Sequence, residues 1–573
     1  MDGLIRSGKR VIDAFPRSSG RRPGLAMSIF NVSKGVDCYT YLGDAYDMNE
    51  IVITLSVPGQ SPVSIEADGF QPYPNPINLP LPAPQNLQVN SSNLSGFFDL
   101  YGAFSWQATD MTGNGSVPLA ANSVSINPYT GNAAGTVADM FNTTSFIVPV
   151  ASATSATGNT VPLAVSYGFY DAGSGQAGLP SQDQFWLYIT QSLQTWMTDN
   201  ARALNSIPLA HMCLPGAHDA GMCTMQSVYQ MMDSIEGVAF EAVVGLIVSA
   251  ITSQLVGPVS PLFGAYAALN IDTVICNFSM TQKDSIAGML ASGIRYFDFR
   301  PGYMWSSLPS LGGALYHQHK CIPGYGYVNF LTDVLSFCAQ NPGEIVVINL
   351  NDSGFADLGN MSPSDGELNA AWSSACALAT SDPSSPTPTG VYNIAPVGGK
   401  DALGATYHQL VTGLISNDAN QQGTPITSNQ IVFLYQMTNA TGAPNNVFTT
   451  TKWDSYSDPV YATTDPTPIR AVFAQMATQQ NQDDYTVLQC QGTCTNLPGV
   501  MLDTAITSSA AGSPLLATKA AFDNCNLGWI ADNVARHAVF TGQLLVLLND
   551  FADNATTITA LQVNTRIPGF SVP

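Results

Sequence analysis

The hydrophobic positions of the chain follow two patterns, and the change between them lies near residue 185. From residue 27 to residue 185, short β-branched and aromatic runs alternate with clusters of glycine, proline, asparagine and serine. Such runs are typical of β-strands, and we predict strands at Ile51–Val57, Ser95–Trp106, Ser145–Val150 and Leu163–Tyr170. Residues 27–185 are therefore expected to form an all-β, sandwich-like domain.

The second pattern begins with apolar residues at helical spacing, which predicts a helix over Gln182–Asn200. Runs typical of strands and of helices then alternate to the end of the chain. We predict strands at Ala210–Pro215, Ile294–Phe299, Gly313–His319, Ile345–Leu350, Ile431–Tyr435, Tyr485–Cys490 and Leu544–Phe551, and helices at Lys283–Ala291, Val328–Gln340 and Gly528–His537. This alternation predicts parallel strands joined by crossover helices, and residues 186–573 have the length of an α/β TIM-type barrel with insertions.

Two segments fall outside these patterns. Residues 1–26 are basic and have no apolar run, so we predict a disordered tail rather than a secretory signal. Residues 237–256 form the longest apolar run, but polar residues interrupt it too often for a bilayer span. We predict a buried or amphipathic helix there, with peripheral membrane contact as the alternative.

Charge narrows the possible partners. The chain has a net charge of -22, and six of its 18 basic residues lie within residues 1–26. The remaining residues form an acidic surface that repels nucleic acid, so we expect no nucleic-acid partner. Only 10% of residues are charged, and a surface of neutral polar residues favours an extracellular or cell-surface protein. Ten cysteines permit disulfides, and Cys490 with Cys494 could close a small loop.

Imidazole and charged side chains follow four of the predicted barrel strands. They are His218, Asp219, Asp298, Arg300, His317, His319 and Asp550. Because the carboxyl ends of parallel barrel strands meet at one rim, these side chains are expected to converge. Each has a structural explanation by itself, since a lone histidine can be a core residue and an Asp-x-Arg sequence can be an ion pair. Three of the six histidines lie at these ends, which favours a functional site.

Five segments at these positions match, in order and spacing, the motifs of a known enzyme family. They are Leu214-Pro-Gly-Ala-His-Asp-Ala-Gly221, Thr281-Gln282 with Gly293-Ile-Arg-Tyr-Phe-Asp-Phe-Arg300, Leu315-Tyr-His-Gln-His319, Asn341-Pro-Gly-Glu-Ile-Val-Val-Ile-Asn-Leu350 and Leu544-Leu-Val-Leu-Leu-Asn-Asp-Phe551. Together they resemble the phosphatidylinositol-specific phospholipase C X-domain superfamily. The resemblance covers roughly Trp196–Phe551 and does not include the N-terminal β region.

The resemblance implies an α/β barrel that transfers a phosphodiester to a neighbouring hydroxyl by general acid–base catalysis. By position, His218 would be the general base, and Asp550 would orient and support it. Either His317 or His319 would be the general acid, with a slight preference for His319, which is nearer the strand end. Asp219 would hold that acid in place.

The resemblance also bears on metal use. Arg300 would stabilise negative charge on the phosphoryl oxygens, and Asp298 would fix Arg300 or assist the acid. Relatives that need calcium have carboxylates where this chain has Arg300 and the neutral Asn351. The resemblance therefore implies a bacterial-type site that needs no metal ion or other cofactor.

The head group is left open by the sequence. Bacterial relatives that cleave phosphatidylinositol bind inositol hydroxyls with a basic residue near the fifth strand and an acid near the sixth. The matching stretches here, Phe433–Gln436 and Val487–Gln491, supply neither charge. We therefore expect a phosphodiesterase of the phospholipase C type acting on phosphatidylinositol or another phospholipid or phosphodiester.

Two alternatives come from other classes. The first is a non-catalytic surface protein that binds lipid or carbohydrate on the same barrel, since fold alone does not decide function. The second is a metal-dependent enzyme of the glycerophosphodiesterase type. It would need a cluster of carboxylates in place of Arg300.

Overall fold

The computed structural model describes separate strands in the N-terminal region and most of the chain from residue 162 onwards. The described residues are 35–42, 51–56, 63–65, 85–88, 102–110, 117–126, 133–134, 146–148, 162–172, 175–234, 271–303, 314–353, 362–381, 394–413, 428–437, 448–501, 512–534, 537, 540 and 542–572. The predicted tail 1–26 and the apolar run 237–256 lie outside them.

The N-terminal strands form two five-stranded sheets with the orders β4-β1-β10-β9-β8 and β3-β2-β5-β6-β7. Their bounds are β1 Gly35–Leu42, β2 Ile51–Ser56, β3 Val63–Ile65, β4 Gln85–Gln88, β5 Gly102–Asp110, β6 Val117–Ile126, β7 Ala133–Ala134, β8 Phe146–Val148, β9 Leu163–Tyr170 and β10 Asp183–Gln191. Phe104 and Trp106 of β5 pack against Phe185 of β10, with ring centroids 5.2 and 5.6 Å apart. These aromatic contacts pack β5 of one sheet against β10 of the other.

The helix predicted over Gln182–Asn200 is present only at Trp196–Asp199 and is wrong at residues Asp183–Gln191, which form β10. This strand pairs in parallel with β1 and antiparallel with β9. One face of β10 packs on the other sheet through Phe185, while Trp186 and Tyr188 belong to the core shared with the barrel. Burial of both faces removed the alternation that identifies a strand. The predicted domain boundary at residues 185/186 also lies within β10.

Eight parallel strands form a larger, curled sheet with the order β17-β18-β16-β12-β11-β21-β20-β19. Their bounds are β11 Cys213–Ala217, β12 Tyr296–Phe299, β16 Val346–Asn351, β17 Val397–Gly398, β18 Ile431–Gln436, β19 Lys452–Asp454, β20 Tyr485–Gln489 and β21 Leu544–Asn549. A single parallel bridge joins Tyr435 in β18 to Thr449, just before β19. The predicted parallel sheet is confirmed, and its curled form is that of a TIM-like barrel.

Helices lie between these strands. Their bounds are Trp196–Asp199, Ala201–Leu204, Gln226–Ser234, Ile271–Ser279, Ile286–Ala291, Tyr327–Gln340, Asp365–Ser381, Gly399–Gly404, Tyr407–Val411, Thr467–Met476, Pro514–Phe522, Gly528–Asn533 and Asn554–Asn564. Phe330 of one helix stacks on Phe299 of β12 at 4.3 Å, which illustrates how the helices cover the sheet. Within the described ranges, no helix is both long and apolar enough to span a bilayer.

The predicted third barrel strand is a strand, but it does not belong to the barrel sheet. It forms β14, Leu315–His319, between β13, Pro301–Tyr303, and β15, Ile322–Gly326, in a separate antiparallel sheet. Only one residue separates β12 from β13, and β13 pairs with β14 in antiparallel register. The hairpin therefore extends from the carboxyl end of β12.

The loop that Cys490 and Cys494 could close is not closed by a disulfide. All ten cysteines lie in the described part of the chain, and none of them is in a disulfide there. The Cys490 thiol contacts the Leu488 carbonyl, and the Cys494 thiol contacts the Pro514 carbonyl.

Candidate active site

His218 and Asp550 follow two neighbouring strands, and this brings their side chains together. The parallel register of β11 and β21 places Ala217 opposite Asn549, and the His218 N–H donates to the Asn549 carbonyl at 3.0 Å. His218 Nδ1 lies 2.8 Å from Asp550 Oδ1. The Asp550 carboxylate is buried, so it can hold the imidazole in one orientation.

Arg300 follows β12, and its guanidinium lies between two buried carboxylates. Its Nε is 2.8 Å from Asp219 Oδ1, and its Nη2 is 3.1 Å from Asp298 Oδ2. The same Nη2 is 3.4 Å from His218 Nε2. Asn351 donates to the other oxygen of Asp298, which fixes that carboxylate from the neighbouring strand β16.

The two histidines of β14 have different contacts. His317 is fully buried, and its Nε2 is 3.4 Å from Asp219 Oδ1. Its Nδ1 accepts the Arg300 N–H at 3.2 Å, so the resting ring carries its proton on Nε2. His319 instead has Nδ1 3.4 Å from the Ser279 carbonyl. Among the described residues, Asp219 therefore has an ion-pair contact with His317, whereas it acts on His319 only by longer-range electrostatics.

Three buried polar atoms meet at the centre of this cluster without a hydrogen bond of normal geometry to any described residue. They are Asp219 Oδ1, Arg300 Nε and His317 Nε2. Asp219 Oδ1 is 2.8 Å from Arg300 Nε and 3.4 Å from His317 Nε2, so the three atoms are close but poorly aligned. Buried polar groups without partners are rare and call for an explanation. A bound anionic oxygen could accept from both nitrogen donors.

Carboxylates control the protonation of His218. Burial alone would lower the pKa of His218, but the charges of Asp219 and Asp550 outweigh it and raise the pKa to about 9, against the opposing charge of Arg300. Burial raises the pKa of Asp550, and the contact with His218 only partly offsets this effect. His218 is therefore largely protonated in the free protein at neutral pH.

The other charged groups stabilise one another. Burial would raise the pKa of both carboxyl groups, but Arg300 holds the pKa of Asp219 well below its usual value and lowers that of Asp298. Burial would lower the pKa of Arg300, and these two carboxylates raise it instead. Burial lowers the pKa of His317 and brings that of His319 to about 4. Both β14 imidazoles are thus neutral at rest.

Among the described residues, one group of histidine and aspartate side chains is spaced closely enough to bind a metal ion. His218, Asp219 and Asp298 each offer an atom within 4.8 Å of the other two. The Arg300 guanidinium contacts both of these carboxylates and lies 3.4 Å from the imidazole. A fixed positive charge therefore already occupies the position that a cation would take among them.

Asp454 is an acidic residue at the end of a barrel strand that the sequence analysis did not single out. It ends β19, where both its oxygens accept from Gln489 Nε2, at 2.8 and 3.0 Å, and Lys452 Nζ lies 3.0 Å from Oδ2. Asp454 contributes to raising the pKa of Arg300, so it acts on the same cluster. Because β19 has only three residues, its sequence has no hydrophobic run from which a strand could be predicted. The stretch Val487–Gln491, compared above with the sixth strand, begins in β20, the strand after β19.

The comparisons with known proteins find bacterial phospholipases. A structure of a variant phosphatidylinositol-specific phospholipase C from Staphylococcus aureus is 14% identical, with a TM-score of 0.33, and covers 64% of this chain and 96% of its own. A second structure of the S. aureus enzyme is 13% identical with a TM-score of 0.35, covering 64% and 97%. The enzyme from Listeria monocytogenes is 13% identical with a TM-score of 0.33, covering 65% and 99%.

This chain is thus similar to phosphatidylinositol-specific phospholipases C, as the sequence motifs indicated. No family model matches the chain, and no curated protein matches its sequence. The similarity concerns the fold.

Proposed function

We propose that this protein is a phosphodiesterase of the phospholipase C type, which cleaves a phosphodiester by transfer to a neighbouring hydroxyl. The observation that carries the proposal is the convergence of the Arg300 guanidinium and the His317 imidazole on the buried Asp219 carboxylate, beside the His218–Asp550 pair. Phosphoryl transfer needs little besides positioning and charge stabilisation. Donors held ready for an anionic oxygen supply both.

In this mechanism His218 acts as the general base. Its Nδ1 is held by Asp550, which leaves Nε2 on the side of Arg300 to remove the proton of the attacking hydroxyl. The freed oxygen forms a bond to phosphorus, and the bond from phosphorus to the leaving oxygen breaks. Asp550 stabilises the imidazolium that forms, and Arg300 stabilises the charge on the phosphoryl oxygens.

We assign the general acid to His317, because it is the histidine that contacts Asp219. His317 is neutral in the free protein. A bound anionic diester close to the ring would favour the charged imidazolium, as opposite charges within about 4–6 Å do. This protonation has to release the Arg300 N–H from Nδ1. The imidazolium then gives a proton to the leaving oxygen.

The substrate class follows from the chemistry of the cluster. Transfer to a neighbouring hydroxyl requires a head group that carries one, and Asp454 offers carboxylate oxygens that could accept hydrogen bonds from further hydroxyls. A phospholipid with a polyol head group, such as phosphatidylinositol, meets both requirements. Because Arg300 supplies the positive charge within the cluster, we expect catalysis without a metal ion.

The direct test is phosphorus NMR of phosphatidylinositol vesicles treated with the purified protein in excess EDTA. We expect release of a cyclic phosphate that lacks the lipid. Phosphatidylethanolamine vesicles, whose head group has no hydroxyl, should not be cleaved. Binding to both vesicles without any phosphate release would contradict the enzyme and favour a lipid-binding protein. Turnover that requires added calcium would contradict the metal-free site.

The pH dependence of the reaction should follow His218. Since a general base must be neutral and the pKa of His218 is raised to about 9, raising the pH increases the active fraction. For a diester with a nitrophenyl leaving group, which needs no proton from His317, we expect kcat/KM to rise about tenfold per unit between about pH 6 and pH 8 and to level off near pH 9. Rates on a soluble cyclisable diester test this, with circular dichroism confirming the fold at each pH. A rate that falls over this range would exclude His218 as the base.

Substrates whose leaving groups differ in basicity show which of the two β14 histidines is the general acid. His317→Ala should lower kcat by about 10²–10⁴-fold for a substrate with an alkyl leaving group, which needs a proton. For a nitrophenyl leaving group, which needs none, the loss should be less than about tenfold. His319→Ala is the matched control on the same strand and should affect both substrates equally. The opposite pattern would assign the acid to His319.

A further inference from the structure

A buried dipeptide, Thr281-Gln282, lies between the ends of the two strands that carry His218 and Asp550. Gln282 is fully buried, and its Nε2 donates to the His218 carbonyl at 2.8 Å and to the Asn549 carbonyl at 3.1 Å. Its Oε1 accepts the Ala552 N–H at 2.9 Å. One amide side chain thus binds the backbone at the end of β11 and on both sides of Asp550.

Thr281 strengthens the same junction. Its hydroxyl contacts the carbonyls of His218 and Asp219, each at 3.1 Å. Its carbonyl accepts the Phe551 N–H at 2.6 Å. The residues on both sides of Asp550 are therefore bonded to Thr281 or Gln282, as is the backbone of His218.

Both backbone turns held by this dipeptide contain a non-glycine residue with positive φ. Asp219 has φ +42°, and Phe551, directly after Asp550, has φ +49°. This conformation is uncommon for aspartate and unfavourable for a bulky residue such as phenylalanine. Such turns persist only where their surroundings hold them, and here the hydrogen bonds of Thr281 and Gln282 do so.

We propose that Gln282 is a positioning residue for the reaction, because it ties together the two strand ends that set the contact between His218 Nδ1 and Asp550 Oδ1. The inference deepens the proposed function and rests on it for its kinetic consequence. The hydrogen bonds of the Gln282 side chain to described residues all go to backbone groups at the two strand ends, so its effect passes through geometry. A displacement of about 1 Å in such a pair can cost about 10²-fold in rate.

The charges around His218 determine how its pKa would change if its contact with Asp550 were loosened. Asp550 faces its Nδ1 from β21, Asp219 and Arg300 face its Nε2, and Asp298 and His319 act from slightly farther away. Of these, Asp550 supplies both a charge and a hydrogen bond to the ring. Moving Asp550 away therefore lowers the pKa of His218 towards its usual value, whereas a loss of stability elsewhere leaves it unchanged.

Gln430 offers a matched control at the other end of the barrel. It is also buried, and its Nε2 donates to three backbone carbonyls, those of Cys338, Asn341 and Glu344, at 3.3, 2.8 and 2.8 Å. It precedes β18, whereas the partners of Gln282 follow the carboxyl ends of β11 and β21. Gln282→Met and Gln430→Met remove similar bonds and keep a similar side-chain volume.

The experiment measures the two variants in parallel. Gln282→Met should lower kcat by roughly 10²-fold with little change in KM, and should move the rising limb of the pH profile to lower pH. Gln430→Met should reduce thermal stability while leaving kcat and the pH profile as in the unmodified protein. Equal effects of the two substitutions on kcat would overturn the inference.

A substrate-free measurement separates this inference from the proposed function. The titration of His218 is followed by NMR of the full chain labelled with ¹³C-histidine, its signal being assigned from a His218→Asn spectrum. Gln282→Met should lower the midpoint by about one unit, equivalent to tenfold, and Gln430→Met should not move it. This result upholds the positioning role even if phosphatidylinositol is not cleaved, and an unmoved midpoint in Gln282→Met overturns the role.

If Gln282→Met does not fold, Thr281→Val and Thr281→Ser provide the same test. Valine removes the hydroxyl bonds to the His218 and Asp219 carbonyls, and serine retains them. We expect the valine variant alone to lower kcat and the His218 midpoint. Identical behaviour of the two variants would overturn the proposal.

Discussion

Replacement of His218 by alanine is expected to lower kcat by about 10⁴-fold or more on a cleavable phosphodiester. The substitution removes the proposed base and leaves Asp550 without the ring that lies 2.8 Å from it. Residual turnover would come from Arg300, which still stabilises the phosphoryl oxygens, and from His317, which still protonates the leaving oxygen. Release of the phosphorylated product, followed by phosphorus NMR, measures the effect.

His408→Ala is the matched control for this prediction. His408 is exposed on the helix Tyr407–Val411, away from the cluster at the strand ends. Its variant should keep full activity. Thermal unfolding of both variants shows whether each is folded. If folded His218→Ala retained more than about a tenth of the rate, the assignment of His218 as the base would fail.

The second large effect concerns stability, at the buried ion pair between Arg295 and Glu344. Both side chains are fully buried, and Arg295 Nη2 lies 2.8 Å from Glu344 Oε2. Arg295→Met leaves the carboxylate buried without its charge partner, although Thr198 still donates to it. We expect a loss of about 3–5 kcal/mol in the free energy of unfolding, measured by urea denaturation.

The exposed pair Lys400–Asp484 is the comparison. Its ammonium and carboxylate groups are 2.9 Å apart, but the lysine side chain is 71% exposed. Lys400→Met should change the free energy of unfolding by no more than about 1 kcal/mol, because water already solvates the lysine. Replacing both buried partners, in Arg295→Met with Glu344→Leu, should recover part of the loss. Equal losses for Arg295→Met and Lys400→Met would show that burial does not govern this pair.

The sequence located many elements because their hydrophobic patterns are local. Leu163–Tyr170 has the predicted bounds, and Tyr327–Gln340 begins one residue before the predicted helix. The strand is rich in aromatic residues, and the helix alternates apolar and polar residues at helical spacing. The strands β18 and β21 were found as continuous apolar runs, which is how strands buried on both faces appear.

Where the sequence failed, the pattern was set by distant partners. β10 was taken for a helix because two different layers bury its opposite faces. β14 was placed in the barrel, although its pairing with β13 depends on how the chain turns after β12. β19 was missed because its three residues become a strand only through their pairing with β20.

The sequence by itself determined which residue types stand at the ends of the strands, and hence the kind of chemistry to expect. The motifs around His218, Arg300 and Asp550 are short, and their order can be read from the chain without knowing any contact between residues. Only the tertiary structure decided that His317 rather than His319 lies 3.4 Å from Asp219, that Asp454 ends a barrel strand, and that Gln282 ties the two strand ends together. These contacts join residues far apart in the chain, so they arise from the curling of the sheet and from no local pattern.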